Sequence, residues 1–234
     1  MSKNNYWVLL LKGKDPEIFT SWPKCEEKKR SASRAVYHGF PTKEEADAFR
    51  AGKWRGKPIS EEAGAWLKEY KARAGQLKRD TELDTFDLFA ETLSKCCAYV
   101  DGSYDSKNET YGFGVVFICD GKIEKFYGGG KEKGLVNMGC GAGELLACME
   151  AIKHAEALGL SELTIIYDSE LIQWAYYGCG EKMLTQAAGQ YLYDIREKME
   201  IKVKSIEGRS HTSSQGPGIV LADKLARKGA GIES

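Results

Sequence analysis

From residue 96 onward the spacing of apolar residues switches between strand and helix periods, and that switching most constrains what the chain can fold into. Cys97-Ala98-Tyr99-Val100, Gly112 to Cys119 and Lys122 to Tyr127 are separated by glycine-containing turns, which predicts three antiparallel strands. Glu144 to Leu158 then places Leu145, Cys148, Met149, Ile152 and Ala155 at helical spacing, and Leu163 to Tyr167 follows as a buried strand. A helix between two strands makes a β-α-β crossover. Glu170 to Tyr177 and Met183 to Met199 read as helices, Ile201 to Ile206 as a strand, and Ile219 to Lys228 as a last helix. The order β-β-β-α-β-α-α-β-α predicts an α/β fold, a mixed five-stranded sheet flanked by helices.

The segment ahead of it is a separate unit. Tyr6 to Leu11 and Ile18-Phe19-Thr20, with Gly13 and Pro16 between them, predict two strands joined by a turn. A polar helix over Lys24 to Arg30 and a third strand at Arg34-Ala35-Val36-Tyr37 follow. Thr42 as N-cap with Glu45 three residues on opens a second helix. Residues 1–52 therefore predict a β-β-α-β-α domain. Residues 53–94 are charged, with helix-forming patches such as Glu61 to Ala74 and no strand signal, and predict a partly helical connector to a main domain over 95–234.

With 42% hydrophobic and 11% aromatic residues the chain can bury a sizeable core, which excludes wholesale disorder and a fibrous repeat. No apolar run approaches the roughly 18 to 20 residues that cross a bilayer, and Tyr6 to Leu11 is too short for a signal-peptide core. The expectation is a cytoplasmic protein, or a nuclear or mitochondrial one if the source is eukaryotic, with no membrane partner. The seven cysteines are odd in number, include the adjacent pair Cys96 and Cys97, and form no C-x-x-C motif, so they predict reduced, mostly buried thiols. Net charge is zero, but residues 1–56 carry 12 Lys/Arg against 7 Asp/Glu, while residues 95–234 carry 16 against 19. A basic end on a mildly acidic body is the signature of modules with separate tasks.

Four carboxylates fall at informative places in the main domain. Asp101 follows the first strand in Asp101-Gly102-Ser103; Glu144 opens the first long helix after Gly139-Cys140-Gly141-Ala142-Gly143; Asp168 ends the strand Leu163 to Tyr167; Asp223 lies in the last helix. Singly, each has an ordinary reading: a turn residue, a carboxylate favoured by the helix dipole, an N-cap with Ser169, a solvated helix charge. If the first and fourth strands are neighbours, Asp101 and Asp168 meet, and only a proton or a cation relieves their repulsion. A hard divalent ion suits oxygen ligands.

Asp101-Gly102-Ser103, Ala142-Gly143-Glu144-Leu145, Tyr167-Asp168-Ser169-Glu170 and Ala222-Asp223-Lys224-Leu225-Ala226, in this order, closely resemble type 1 ribonuclease H over about residues 95–232. Tyr6-Trp7-Val8, Ile18-Phe19-x-x-Trp22-x-x-Cys25, Phe40 and Thr42-x-Glu44-Glu45-Ala46 resemble the hybrid-binding, caulimovirus viroplasmin-like domain found ahead of that enzyme. The resemblance implies endonucleolytic hydrolysis of the RNA strand of RNA–DNA hybrids without sequence preference, leaving 5′-phosphate and 3′-hydroxyl ends. It implies two Mg²⁺ ions, with Mn²⁺ as a substitute, held by Asp101, Glu144, Asp168 and Asp223; Asp101 bridges both. His211, in the polar loop before the last helix, matches the family's proton-transfer histidine, whereas Ile219 stands where an asparagine is common.

In the small domain the implied hybrid contacts are Trp7, Trp22, Lys28, Lys29 and Arg34, with Lys24 and Arg30 nearby and Ser103 in the main domain; His38-Gly39 replaces the family's frequent lysine pair. Such contacts bind phosphates and shape rather than base edges. Double-stranded RNA is a second implied ligand, and the protein is expected to be a monomer. Two other classes stay open: a binding protein for hybrid or double-stranded RNA that does not cut, and a DNA nuclease of the same fold. Because all four carboxylates lie in the main domain, removing residues 1–56 is expected to spare the chemistry.

Overall fold

A computed structural model describes residues 4–32, 35–54, 56–73, 77–81, 96–205 and 217–232. The N-terminal part runs β1 (Tyr6–Leu10), β2 (Glu17–Phe19), α1 (Trp22–Arg30), β3 (Val36–Phe40) and α2 (Lys43–Arg50), its three strands antiparallel in the order β2-β1-β3. The alternation of β1 sorts its side chains onto two faces. Val8 and Leu10 pack with Phe40, Ala46 and Phe49, while Leu9 packs with Leu11 and Cys25 on the other side. Thr42 caps α2 as its sequence predicts: Oγ1 accepts the Glu45 N–H at 3.3 Å and donates to Glu45 Oε2 at 3.3 Å. β3 starts later than the sequence predicts and runs through Gly39, because its ladder with β1 continues to Phe40.

The segment expected to be a connector is built into the main core. Ser60 Oγ accepts the Ala63 N–H at 3.2 Å and caps α3 (Glu61–Ala72), which buries Ala63, Leu67 and Tyr70 in the same cluster as the central strands. Beyond it β4 (Lys78–Arg79) pairs with β7 (Lys122–Gly130) as a sixth strand. Two exposed cationic residues carry no strand signal; the free edge of β7 makes the strand.

The main sheet has the order β4-β7-β6-β5-β8-β9. β5 (Cys97–Asp105), β6 (Thr110–Cys119) and β7 form an antiparallel meander, whereas β8 (Glu162–Tyr167) pairs parallel with β5 and β9 (Glu200–Ser205) parallel with β8. Between them lie the short α4 (Lys133–Val136), not foreseen in the sequence, then α5 (Cys140–Ala157), α6 (Glu170–Tyr176) and α7 (Met183–Ile195), with α8 (Pro217–Ala230) last. The expected mixed α/β architecture is present. α5 and α7 share one apolar cluster with Ala98, Val100, Phe117 and Ile165, while α8 lays Ile219, Leu221 and Leu225 against Cys97, Tyr99, Val116 and Ile118 on the opposite face. Tyr177, after α6, belongs to the cluster of Val8, Leu10 and Phe49, so the N-terminal part and the main domain share an apolar contact.

The expectation of reduced thiols is corrected at one pair. The register Cys97↔Ile118 sets Cys96 opposite Cys119, and these two form a disulfide, whereas Cys25, Cys97, Cys140, Cys148 and Cys179 are free. Sequence spacing shows burial tendency but not which residues an antiparallel register brings face to face. Among the described residues no helix is long and apolar enough to cross a membrane.

Candidate functional site

The parallel register of β5 and β8 runs Cys97↔Thr164, Ala98↔Ile165 and Tyr99↔Ile166. Continued by two residues, it sets Asp101 level with Asp168. Asp101 itself lies inside β5, paired with Gly114, rather than at a turn after the strand. Gly102 reads as a breaker in sequence, but here its missing side chain makes room for a helix. A Cβ at Gly102 would strike the backbone of Cys140 and Glu144, and one at Gly143 would strike the Gly112 carbonyl. This close approach of α5 to β5 puts Glu144 beside Asp101. Gly114 does the same on the other face, where a Cβ would collide with the Ala222 carbonyl, so α8 lies close enough to bring Asp223 to the cleft.

Carboxylate oxygens of Asp101, Glu144 and Asp168 all lie within 4.8 Å of one another, and Asp223 lines the same cleft of about 920 Å³. The ordinary single-residue readings do not hold. Ser169, not Asp168, caps α6, its Oγ accepting the Leu171 N–H at 3.4 Å. Glu144 lies beyond the first turn of α5 and is 7% exposed, with no hydrogen-bond partner for Oε2 among the described residues. Asp223 is half-buried and lines the cleft.

Burial first, then the neighbouring Asp168 charge, pushes the Asp101 carboxyl up to about 7, with Asp223 adding to the effect; the Gly102 N–H, 2.7 Å from Oδ1, partly offsets it. Burial, then Asp101 and Asp168, raise the Glu144 carboxyl well above the usual range. The mutual repulsion that raises these carboxyls is relieved either by protons or by a bound cation. Hard oxygen donors and a buried oxygen without a donor fit a divalent ion such as Mg²⁺.

Lys12, Trp174 and Arg227 are among the further cleft-lining residues that sequence reasoning did not single out. Arg227 had a readable signal, four residues after Asp223 and so on the same helix face. Lys12 and Trp174 had none, because Lys12 comes from the loop between β1 and β2. His211 and Arg34 lie outside the described residues. Ser103 is half-buried within β5, opposite Gly112, and is not among the residues that line the cleft. His38 packs on Phe49 and Trp54, and His154 Nε2 lies 2.7 Å from Glu124 Oε2; neither lines the cleft.

In the small domain Trp7, Trp22 and Tyr37 form a half-exposed aromatic run, with ring centroids 6.3 Å and 4.8 Å apart for successive pairs. Lys29 Nζ sits 4.3 Å from the Tyr37 ring centroid, while Lys28 pairs with Glu17 at 2.5 Å. Tyr37, 40% exposed, joins the predicted tryptophans and was not foreseen.

The small α/β domain is of a recognisable class. Residues 10–50 match the family model described as the Ribonuclease H1 N-terminal domain, in agreement with the resemblance read from Trp22, Cys25, Phe40 and the α2 motif. Part of the structure is similar to RNase H1 from the halophilic archaeon Halobacterium salinarum NRC-1, at 17% identity over 57% of this chain and 96% of that one, with a TM-score of 0.43. It is also similar to LC11-RNase H1 in complex with an RNA/DNA hybrid, at 18% identity over 58% of this chain and 97% of that one, with a TM-score of 0.44. A third similar structure is the N-terminal RNase H domain of rv2228c from Mycobacterium tuberculosis, as a fusion with maltose-binding protein, at 15% identity over 58% and 95% and a TM-score of 0.43.

Proposed function

We propose that the protein is a metal-dependent ribonuclease H that cuts the RNA strand of RNA–DNA hybrids. The observation that carries this reading is the meeting of Asp101, Glu144 and Asp168, from a strand, a helix and a strand end, within 4.8 Å in a cleft that Asp223 also lines. Bound there, Mg²⁺ ions, two per site, would supply Lewis-acid stabilisation of the phosphate and a water activated at neutral pH.

The chain's own residues set up that chemistry. Asp101 lies within 4.8 Å of Glu144 and Asp168 and feels the charges of both Asp168 and Asp223, so it would hold metal together with either side of the cluster. Glu144, Asp168 and Asp223 would supply the remaining oxygen ligands. The Gly102 N–H orients Asp101 Oδ1 toward one geometry, and the packing of α5 and α8 on the sheet fixes Glu144 and Asp223. Trp7, Trp22 and Tyr37 offer faces on which sugars or bases stack, and Lys29 adds a phosphate contact. Mn²⁺ substitutes for Mg²⁺, the products carry 5′-phosphate and 3′-hydroxyl ends, His211 assists proton transfer, and the protein acts as a monomer.

Incubation of the purified full chain with an end-labelled hybrid and Mg²⁺ tests the reading. RNA-strand cleavage that EDTA stops is expected. Binding without cleavage would assign the chain to non-cutting hybrid or double-stranded RNA binders, and preferential cutting of duplex DNA in competition would assign it to DNA nucleases.

A further inference from the structure

The carboxylate cleft is not walled by the main domain alone. Lys12, on the loop between β1 and β2 of the N-terminal module, lines it together with Asp101, Asp168 and Arg227. We propose that Lys12 is a substrate-binding residue of this cleft, contacting a phosphodiester of the bound strand, and that Gln173 of α6 holds it there. The inference rests on the reading of the cleft as a hybrid-nuclease site and adds to it a residue from the other module.

The placement of Lys12 is built rather than incidental. Gln173 is 3% exposed, and its carboxamide is spent on the loop that carries Lys12. Nε2 donates to the Leu11 carbonyl at 3.2 Å and to the Lys14 carbonyl at 3.1 Å, while Oε1 accepts the Gly13 N–H at 3.2 Å. A primary amide has two N–H donors, and both are used. Gly13 adopts φ +67°, a left-handed conformation that favours glycine, and a Cβ there would lie 3.3 Å from Ser205 Oγ at the end of β9. The loop is thus seated between α6, whose N-cap directly follows Asp168, and the C-terminal end of β9.

Further ties make this seat part of one body. The Arg196 guanidinium donates to the Gly52 carbonyl and, at 2.8 Å, to the Tyr176 carbonyl, and it lies 3.8 Å above the Tyr176 ring. Phe49 stacks on Tyr177 with centroids 5.5 Å apart. Gly56 and Gly178 approach closely enough that a Cβ on Gly178 would lie 3.2 Å from the Gly56 Cα.

The chemistry of the position selects the ligand. Lys12 is exposed, and among the described residues no carboxylate pairs with its ammonium. Four clustered carboxylates repel a polyanionic strand until cations screen them, and an ammonium carried into the cleft by a held loop supplies attraction of the opposite sign at the flanking phosphates. A compact point charge on a flexible stem suits a phosphate oxygen.

The test is equilibrium binding of a fluorescein-labelled RNA–DNA hybrid to the full chain as a function of salt, in the Asp101→Asn background so that the RNA stays intact. It is paired with steady-state cleavage by the otherwise native chain. Lys12→Gln is expected to weaken binding about fivefold near 0.15 M salt and to lower the log–log salt slope by about one. In cleavage it raises KM and leaves kcat unchanged. Gln173→Leu is expected to lose the same slope increment, and adding Lys12→Gln to it takes away nothing more. Lys122→Gln, at the exposed β6–β7 turn, changes neither quantity.

An unchanged affinity and slope in Lys12→Gln overturns the inference, while cleavage by the native chain leaves the reading of the site standing. Loss of both binding and cleavage in the native chain overturns that reading and this inference with it. Lys12 is a surface residue, so Lys12→Gln decides the matter even if Gln173→Leu fails to fold.

Discussion

Asp101 concentrates the electrostatic cost of the site in one side chain. Its carboxyl has a pKa of about 7 in the folded chain, against an ordinary value of 3.8, because burial and Asp168 oppose its charge. Between those values the metal-free native state holds a proton that the unfolded chain has lost. This contribution to stability is therefore complete below about pH 4 and disappears as pH rises through about 7. Glu144 is raised for the same reasons and acts with the same sign. Metal-free protein is expected to melt at a lower temperature at pH 8.5 than at pH 5.5, and Mg²⁺ to restore more stability at the higher pH. Asp101→Asn flattens the pH dependence; a wild-type melting temperature that rises over this range would contradict the assignment. The same substitution is expected to reduce cleavage about a hundredfold to a thousandfold or more while hybrid affinity changes little, as for loss of a group that stabilises transition-state charge. Gel assays and anisotropy read the two effects separately.

At the scale of elements, glycines decide how near the helices come. Gly143→Ala would drive a Cβ into the Gly112 carbonyl and against Gly102. The expected cost is about 1–3 kcal/mol, together with weaker Mg²⁺ binding, because the N-terminal turns of α5 that position Glu144 must shift. Calorimetry and chemical denaturation measure both, and a stability change without a metal-affinity change would separate packing from the site. Gly64→Ala has the opposite sign: Gly64 lies inside α3, and the nearest atom to its Cβ would be Ile59 Cδ1 at an ordinary 3.8 Å. A gain of about 0.5–1 kcal/mol is expected in denaturation midpoints. Most elements were legible in the sequence, since periodicity and caps are local; Thr42 and Glu45 marked the start of α2, and Leu145 to Ala155 the buried stripe of α5. β4 was not, because two residues become a strand only by pairing with β7. Nor was Asp101's place inside β5, because Gly102 carries a turn signal unless the approach of α5 is known.

For the whole molecule, the interlocked modules add a stability cost to the expectation that removing residues 1–56 spares the chemistry. The carboxylates do lie in the main domain, but Tyr177, 8% exposed, is covered by Phe49, and Gln173 and Arg196 bond to backbone that the truncation deletes. Residues 57–234 alone are expected to melt about 6–12 °C lower, as for a loss of about 3 kcal/mol in a chain of this size, and to bind an apolar dye at the uncovered surface. Hybrid affinity falls as well, through loss of the aromatic run and of Lys12. A truncated protein with unchanged melting temperature would show that the packing of the modules contributes nothing to stability.

The sequence by itself determined the order of most strands and helices, the identity of the four carboxylates and the basic character of the N-terminal module, because propensity, periodicity and charge are properties of neighbouring residues. The tertiary structure alone decided that Cys96 faces Cys119, that α3 and β4 belong to the main core, and that Lys12 stands in a cleft whose first carboxylate follows it by 89 residues. Register and close packing join residues distant in the chain, and no local pattern records which of them will meet.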